Sequence, residues 1–237
     1  MINGLYNSAS ALQAAQANHE IISENIAHAT TPGYRRQGLV FQVTGDEVPN
    51  ASPTAGGVRS DRQFMNFDTG PIQQTGNPYD LALAGNAFFA IQGPQGTIYT
   101  RSGAMKLGPQ GQLQNHAGMP VLTNNGPINI PATARRVEVS ADGTVFADGA
   151  SLGKLRVVSF PNPEGIRRVG PTLYDNPDAQ DAQPNTYRVE QGYREGSNVQ
   201  VVQEMVTMML GMRHYEASER AMRMLSESIG LNTRPKQ

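Results

Sequence analysis

Two long segments with helical periodicity bracket a middle that follows a different period, and few folds accommodate that order. Residues 2 to about 28 contain no Pro, one Gly (Gly4) and many Ala, the strongest helix former. Apolar side chains recur at Ile2, Leu5, Ala9, Leu12, Ala15, Ile22 and Ile26, in steps of three or four with one of seven, and so on one side of a helix. Gln16, His19 and Ser23 thin the middle of that stripe. Thr30-Thr31-Pro32-Gly33 ends it, because Pro disfavours helix at the residue before it. A helix of this length is a rod of roughly 40 Å.

The second helical segment begins at Gly196-Ser197-Asn198. Ser197 with Gln200 has the pattern of a capping box. From Met205 the stripe runs through Met208, Met212, Tyr215, Glu219, Met222, Ser226 and Ile229, in alternating steps of three and four that approach a heptad. Val202, Val206, Met209 and Leu225 widen it. Six of the ten Met residues lie here, and Met packs against irregular or alternative surfaces. Two readings follow. Either both helices pack on the chain's own core, or they pair with each other and with other copies. Length and narrow, heptad-like stripes favour the second. In that case Leu5, Leu12, Ile22 and Ile26 pack against Met205, Met212, Tyr215 and Met222, and the ends are loose in the lone chain and order on assembly.

From about Asp68 to Val189 the period becomes alternating. Short strands are expected at Leu81–Leu83, Phe88–Ile91, Ile98–Thr100, Val137–Val139, Thr144–Phe146 and Leu155–Phe160. Turn signals separate them: Gly93-Pro94-Gln95-Gly96, Gly108-Pro109-Gln110-Gly111, Asn124-Asn125-Gly126, Asp142-Gly143 and Asp148-Gly149. The two Gly-Pro-Gln-Gly copies read as similar hairpin turns. Residues 44 to 66 are rich in Gly, Pro, Ser and Asp and read as an extended connector. The fold class expected is therefore α+β, with N- and C-terminal helices around a central all-β domain. The boundaries are 1–34 for the first helix and its turn, 35–67 for the connector, 68–195 for the β domain and 196–237 for the last helix.

Composition removes several kinds of chemistry. Cys is absent, which excludes thiolate metal sites, disulfides and Cys nucleophiles. A net charge of −1 gives no basic field for nucleic acid or anionic lipid. All but three of the 19 basic residues (Lys106, Lys154 and Lys236) are Arg, which suits planar contacts at protein interfaces. No apolar run reaches the roughly 18 residues of a membrane span, and the first 22 residues lack the basic and apolar regions of a secretory signal. His19, His28, His116 and His214 are dispersed, without metal-ligand spacing. Ser151-Leu152-Gly153-Lys154 matches the S-x-x-K pattern of Ser-Lys acyl enzymes, but sits in a turn leading to a strand, where that chemistry needs a helical turn. Asp175, Asp178 and Asp181 lack the spacing of a Ca²⁺ loop.

Four segments, in order along the chain, carry a resemblance. They are Asn25-Ile26-Ala27-His28-Ala29-Thr30-Thr31-Pro32-Gly33-Tyr34-Arg35; Asn77-Pro78-Tyr79-Asp80-Leu81-Ala82-Leu83-Ala84-Gly85 with Phe88-Phe89; Tyr99-Thr100-Arg101-Ser102-Gly103 continuing to Leu113; and Gln191-Gly192-Tyr193-Arg194-Glu195-Gly196-Ser197-Asn198-Val199 with Glu204-Met205-Val206 and Arg213-His214-Tyr215-Glu216. With these the chain resembles the bacterial flagellar basal-body rod and hook family over nearly its whole length. His28 stands where the family usually has Asn.

The resemblance implies a structural protein of an assembly, not an enzyme, with no cofactor and no metal. The terminal helices would form an inner coiled-coil layer (D0) and the β domain an outer one (D1), in a rod spanning the periplasm. Implied partners are other copies, other rod and hook subunits and the flagellar export apparatus. Nucleic acid, membrane insertion and a small-molecule substrate are not expected. The short chain and compact connector resemble the proximal (F-type) rod protein more than the distal (G-type) one or a hook protein. A non-flagellar secreted scaffold, or a hydrolase centred on Ser151 and Lys154, is the alternative of another class. The residues expected at the assembly interface are Leu5, Leu12, Ile22 and Ile26 against Met205, Met212, Tyr215 and Met222. Asn25, Thr31, Gly33 and Tyr34 are expected to fix the exit from the first helix, and Ser197 and Asn198 the entry to the last. Gly33 either adopts a backbone geometry closed to other residues or is a plain turn glycine. Arg35 and Arg36 either bridge to neighbours or are a solvated pair.

Overall fold

The computed structural model describes residues 2–44, 57–162, 165–183 and 185–232. The chain divides into two units: Met1–Ala27 with Arg36–Asn66 and Gln200–Gln237, and His28–Arg35 with Phe67–Val199.

The first unit holds both helices, α1 (Ile2–Ala27) and α2 (Val201–Asn232). They run antiparallel: Asn25 of α1 meets Glu204 of α2, while Ala15 and His19 lie beside Gly211 and Tyr215. The covered side of α1 is Ala14, Ile21, Ile22 and Asn25, about one residue off the stripe read from the sequence. Polar Asn25 belongs to that face because it finds partners there. The same unit contains a difference from expectation. Gln37–Thr44 and Gly57–Met65, read as connector, pair as an antiparallel ribbon with a bulge at Val40/Phe41. Leu39-Val40-Phe41 supplies the β-forming side chains. Residues 45–56, where most of the Gly, Pro and Asp signals fall, lie outside the described residues.

The second unit is β-rich. Its largest sheet has six antiparallel strands in the order Arg167–Gly170, Leu173–Asp175, Gly96–Thr100, Phe88–Gly93, Val157–Ser159 and Gln180–Asp181. A three-stranded sheet (Val137–Val139, Thr144–Ala147, Ala150–Lys154) and several two-stranded ladders complete it. Phe89, Ile91, Val121, Val145 and Leu155 fill the core with almost no exposure. Both Gly-Pro-Gln-Gly segments close hairpins, between Phe88–Gly93 and Gly96–Thr100 and between Met105–Leu107 and Leu113–Asn115. The strand expected at Leu155–Phe160 shortens, and the turn expected at Ser151–Lys154 is itself strand. Ala150–Lys154 joins the three-stranded sheet and Val157–Ser159 the six-stranded one, with Leu155 and Arg156 between. Ser151 and Lys154 therefore lie on a strand, and Lys154 Nζ sits 3.6 Å from Asp142.

Among the described residues, no helix is long and apolar enough to cross a membrane, and no group of three or more His, Asp or Glu is placed to hold a metal.

Candidate assembly surfaces and the charged nodes behind them

In each unit a buried glutamate ties together the segments around it. In the helical unit that carboxylate is Glu204, on the first turn of α2 and 1% exposed. Arg36 Nε donates to it at 2.5 Å and Asn25 Nδ2 at 3.3 Å. The Asn25 amide also pairs with the backbone of Gln37 in both directions: its Nδ2 donates to Gln37 O and its Oδ1 accepts from Gln37 N–H, each at 2.9 Å. An amide side chain is the neutral group that presents a donor and an acceptor side by side, as a backbone peptide does. Asn25 thereby fastens the end of α1 to the start of the ribbon and to α2.

In the β unit the node is Glu195, fully buried. Its Oε1 accepts from Arg35 Nη2 at 2.7 Å and from the Gly70 N–H at 2.8 Å, and its Oε2 from Arg101 Nε at 2.5 Å. Arg101 also donates to Leu83 O at 2.6 Å and to Ala87 O. Burial pushes the Arg101 guanidinium below its usual range, and the Glu195 carboxylate pulls it back up. Two cations share one anion here, and Arg35 Nε and Nη1 have no hydrogen-bond partner.

Around this node the turn after α1 is fixed. Gly33 has φ +71° and donates its N–H to Glu195 O at 2.9 Å. A Cβ at Gly33 would lie 2.4 Å from Ser102 N, so the special backbone geometry, not a plain turn, is what the structure has. Tyr34 is buried with His28 stacked on its ring at 5.0 Å and the Arg168 guanidinium 5.4 Å from its centroid. His28 also bonds Thr31 Oγ1 at 3.2 Å. Asn198 donates its side chain to Asp68 O at 2.9 Å and its N–H to Tyr34 O at 3.4 Å.

Several expectations need correction. Arg35 is buried on Glu195 and is not a solvated side chain, whereas Arg36, a third exposed, holds Glu204 through its Nε. Asn25, Tyr34 and Arg35 are buried within the chain and so offer no outward surface. Ser197 does not form the capping box with Gln200. Its Oγ accepts from Val199 N–H, two residues on, at 3.2 Å, and α2 begins only at Val201. Met205, Met212 and Tyr215 are exposed, Leu12, Ile26 and Met222 half-buried and Ile22 buried; the Leu5 side chain lies outside the described residues. Glu195, Arg101, Glu204 and Gln37 were assigned no role from the sequence. No local signal marks them: their burial depends on partners brought from elsewhere in the chain.

Among the described residues, more of the exposed large apolar side chains lie on α2 than on any other element. Val202 is 76% exposed, Met209 56%, Leu210 50% and Met205 49%, with Val206, Met212, Tyr215 and Met224 alongside. Such a row is a contact surface in search of a partner.

Three family descriptions match the chain in sequence. Residues 5–35 match "Flagella basal body rod protein", residues 82–147 "Flagellar hook protein FlgE/F/G D1 domain", and residues 190–230 "Flagellar basal body rod FlgEFG protein C-terminal". Among curated relatives, the flagellar basal-body rod protein FlgG of Buchnera aphidicola (Schizaphis graminum) is 31% identical, over 93% of this chain and 95% of its own. The flagellar basal-body rod protein FlgF of Mesorhizobium japonicum is 31% identical, over 96% and 95%. FlgF of Caulobacter vibrioides is 32% identical, over 94% and 93%.

Proposed function

The chain belongs to the flagellar basal-body rod protein family, and from that membership we propose that this structural rod protein self-assembles through its terminal helices as the proximal, F-type component. One observation carries the assembly reading: the uncovered apolar row of α2, from Val202 to Met212. A single helix face with this much exposed Val, Met and Leu is stable in water chiefly when other subunits cover it.

In this reading α1 and α2 make the coiled-coil-like layer called D0, residues 68–195 make D1, and 35–67 join them. The buried residues serve the surface indirectly. Asn25, Arg36 and Glu204 hold α1, the ribbon and α2 together, so that the row is presented on a fixed frame. Tyr34, Arg35 and Glu195 do the same for the turn after α1. Partners are other copies, the neighbouring rod and hook subunits and the export apparatus through which the chain leaves the cytoplasm.

Alignment length supports the F type. The alignments to FlgG of three Buchnera aphidicola strains run over 249–253 positions, more than the 237 residues of this chain, and so must open gaps in it. Those to FlgF run over 225–235.

Electron microscopy of basal bodies from cells lacking this gene tests the assignment. Rods that stop short on the inner-membrane side, with no hook, are the expected result. A proximal stub lacking the distal rod assigns the chain to the distal type instead, and complete basal bodies overturn the role. Complementation with Met209→Asp tests the helix row: export of the variant without rod completion is expected, and normal rods would remove α2 as the assembly surface.

A further inference from the structure

Between α1 and α2 the helical unit carries a groove of about 380 Å³ that its own side chains leave unfilled. Ala15, Gln16 and His19 line it from α1, and Gly211, Met212 and Tyr215 from α2. Gly211 is in the interior of a 32-residue helix. Gly is the least favourable residue there after Pro, because it gives up the most backbone freedom and covers nothing. A helix tolerates it where a side chain would collide. Here none would: a Cβ at Gly211 meets no heavy atom within 4 Å. The lone chain offers no steric reason for this glycine, so the reason lies in what enters the groove from outside.

Charge narrows the guest. Glu216 and Glu219 also border the groove, but Arg220 lies 3.3 Å from the first and Arg223 2.6 Å from the second. The rim is thus locally neutral and calls for no ionic partner. The same chain exposes a matching surface. Between Val201 and Met212 the one charged residue is Glu204, which is buried against Arg36. Val202, Met205, Val206, Met209 and Leu210 stand exposed around it without charge.

Row and groove sit at different heights on one helix. A copy displaced along the axis can lay its row over the groove and leave its own groove open for the next. Such a contact is head-to-tail and does not close, which is how a filament grows. We propose that the groove at Gly211 is the acceptor for the α2 segment Val202–Leu210 of a second copy of this chain. The proposal rests on the reading that copies assemble through these helices.

The test uses the full-length chain in cells lacking the native gene. Gly211→Leu fills the groove. It should keep the helical circular dichroism and melting temperature of the parent and reduce incorporation into rods at least tenfold. In parallel, a photo-crosslinking amino acid at Gln16 in the otherwise unchanged chain should, on irradiation of purified basal bodies, attach to a peptide within residues 195–213 of another copy. Attachment to a different rod protein, or to another segment, overturns the occupant. Normal rods from Gly211→Leu overturn the groove. If Met209→Asp blocks rods and Gly211→Leu does not, assembly through α2 stands and this inference falls; if both assemble, both fall.

Discussion

Arg101 and Glu195, 94 positions apart in sequence, meet at 2.5 Å with their side chains 1% and 0% exposed. Arg35 reaches the other oxygen of the same carboxylate. A buried ion pair adds little over an apolar substitute, but removing one member strands the other in a medium that solvates it poorly. Glu195→Gln keeps the shape and leaves two cations without an anion. It is expected to cost about 3–5 kcal/mol, measured by urea unfolding of the full chain. The two arginines should differ. Arg101→Met is expected to cost more than Arg35→Met, because Arg35 already has two nitrogens without partners. Equal losses, or a loss below about 1 kcal/mol for Glu195→Gln, would mean that water reaches the node.

Gly33→Ala separates conformation from collision. Left-handed backbone costs an L-residue about 1–2 kcal/mol, and the new methyl would also meet Ser102 N at 2.4 Å. Gly118 is the control, with φ +81° and open space at its Cβ. Gly118→Ala should show the conformational cost alone, and Gly33→Ala a distinctly larger one. Similar melting temperatures for the two variants would show that Ser102 gives way at little cost.

Local chemistry was legible where it decides the structure. The Ala-rich, Pro-free start and the three-four spacing gave both helices, and the turn dipeptides gave the hairpins at Pro94-Gln95 and Pro109-Gln110. Ile72–Gln74 and Tyr193–Glu195 were not legible. They are short, and what makes them strands is pairing with each other across more than a hundred residues. The ribbon at Gln37–Met65 was missed for a related reason, since its turn-forming residues look like a linker until the flanks pair. The position of Ser197 shows the limit of motif reading. The same residue fits a capping box and a two-residue turn, and the backbone chooses the second. The site residues Glu195 and Glu204 fell inside quoted motifs, yet nothing local says that a Glu will be buried. That depends on arginines brought from elsewhere in the chain.

Asn25→Ala removes both bonds to the Gln37 backbone and one to Glu204. The stranded groups are buried, so the expected loss is about 1–3 kcal/mol. Hydrogen exchange gives a local reading that a general loss of stability does not. The Gln37 amide should lose protection well beyond the fall in global stability, while core amides such as Phe89 track the global value. Unchanged protection at Gln37 would show that its amide has another acceptor.

Tyr174 makes the stability of the β unit depend on alkaline pH. Burial pushes its phenol up to about 12 from the ordinary value of 10, against the smaller opposing influence of Arg35 and Arg168. The neutral form is favoured in the folded chain, so its contribution is complete below pH 10 and is lost as pH rises towards 12. In that window the unfolded chain gives up the proton and the folded chain keeps it. The loss amounts to at most about 3 kcal/mol. Tyr99 is pushed in the same direction, again mainly by burial, and adds to the slope. Urea unfolding of the parent and of Tyr174→Phe, each from pH 9 to 11.5, checks this. The parent should fall more steeply than the variant, and tyrosinate absorbance should show one phenol fewer resisting ionisation in the variant. Parallel slopes would mean that Tyr174 ionises in the folded chain as it does in water.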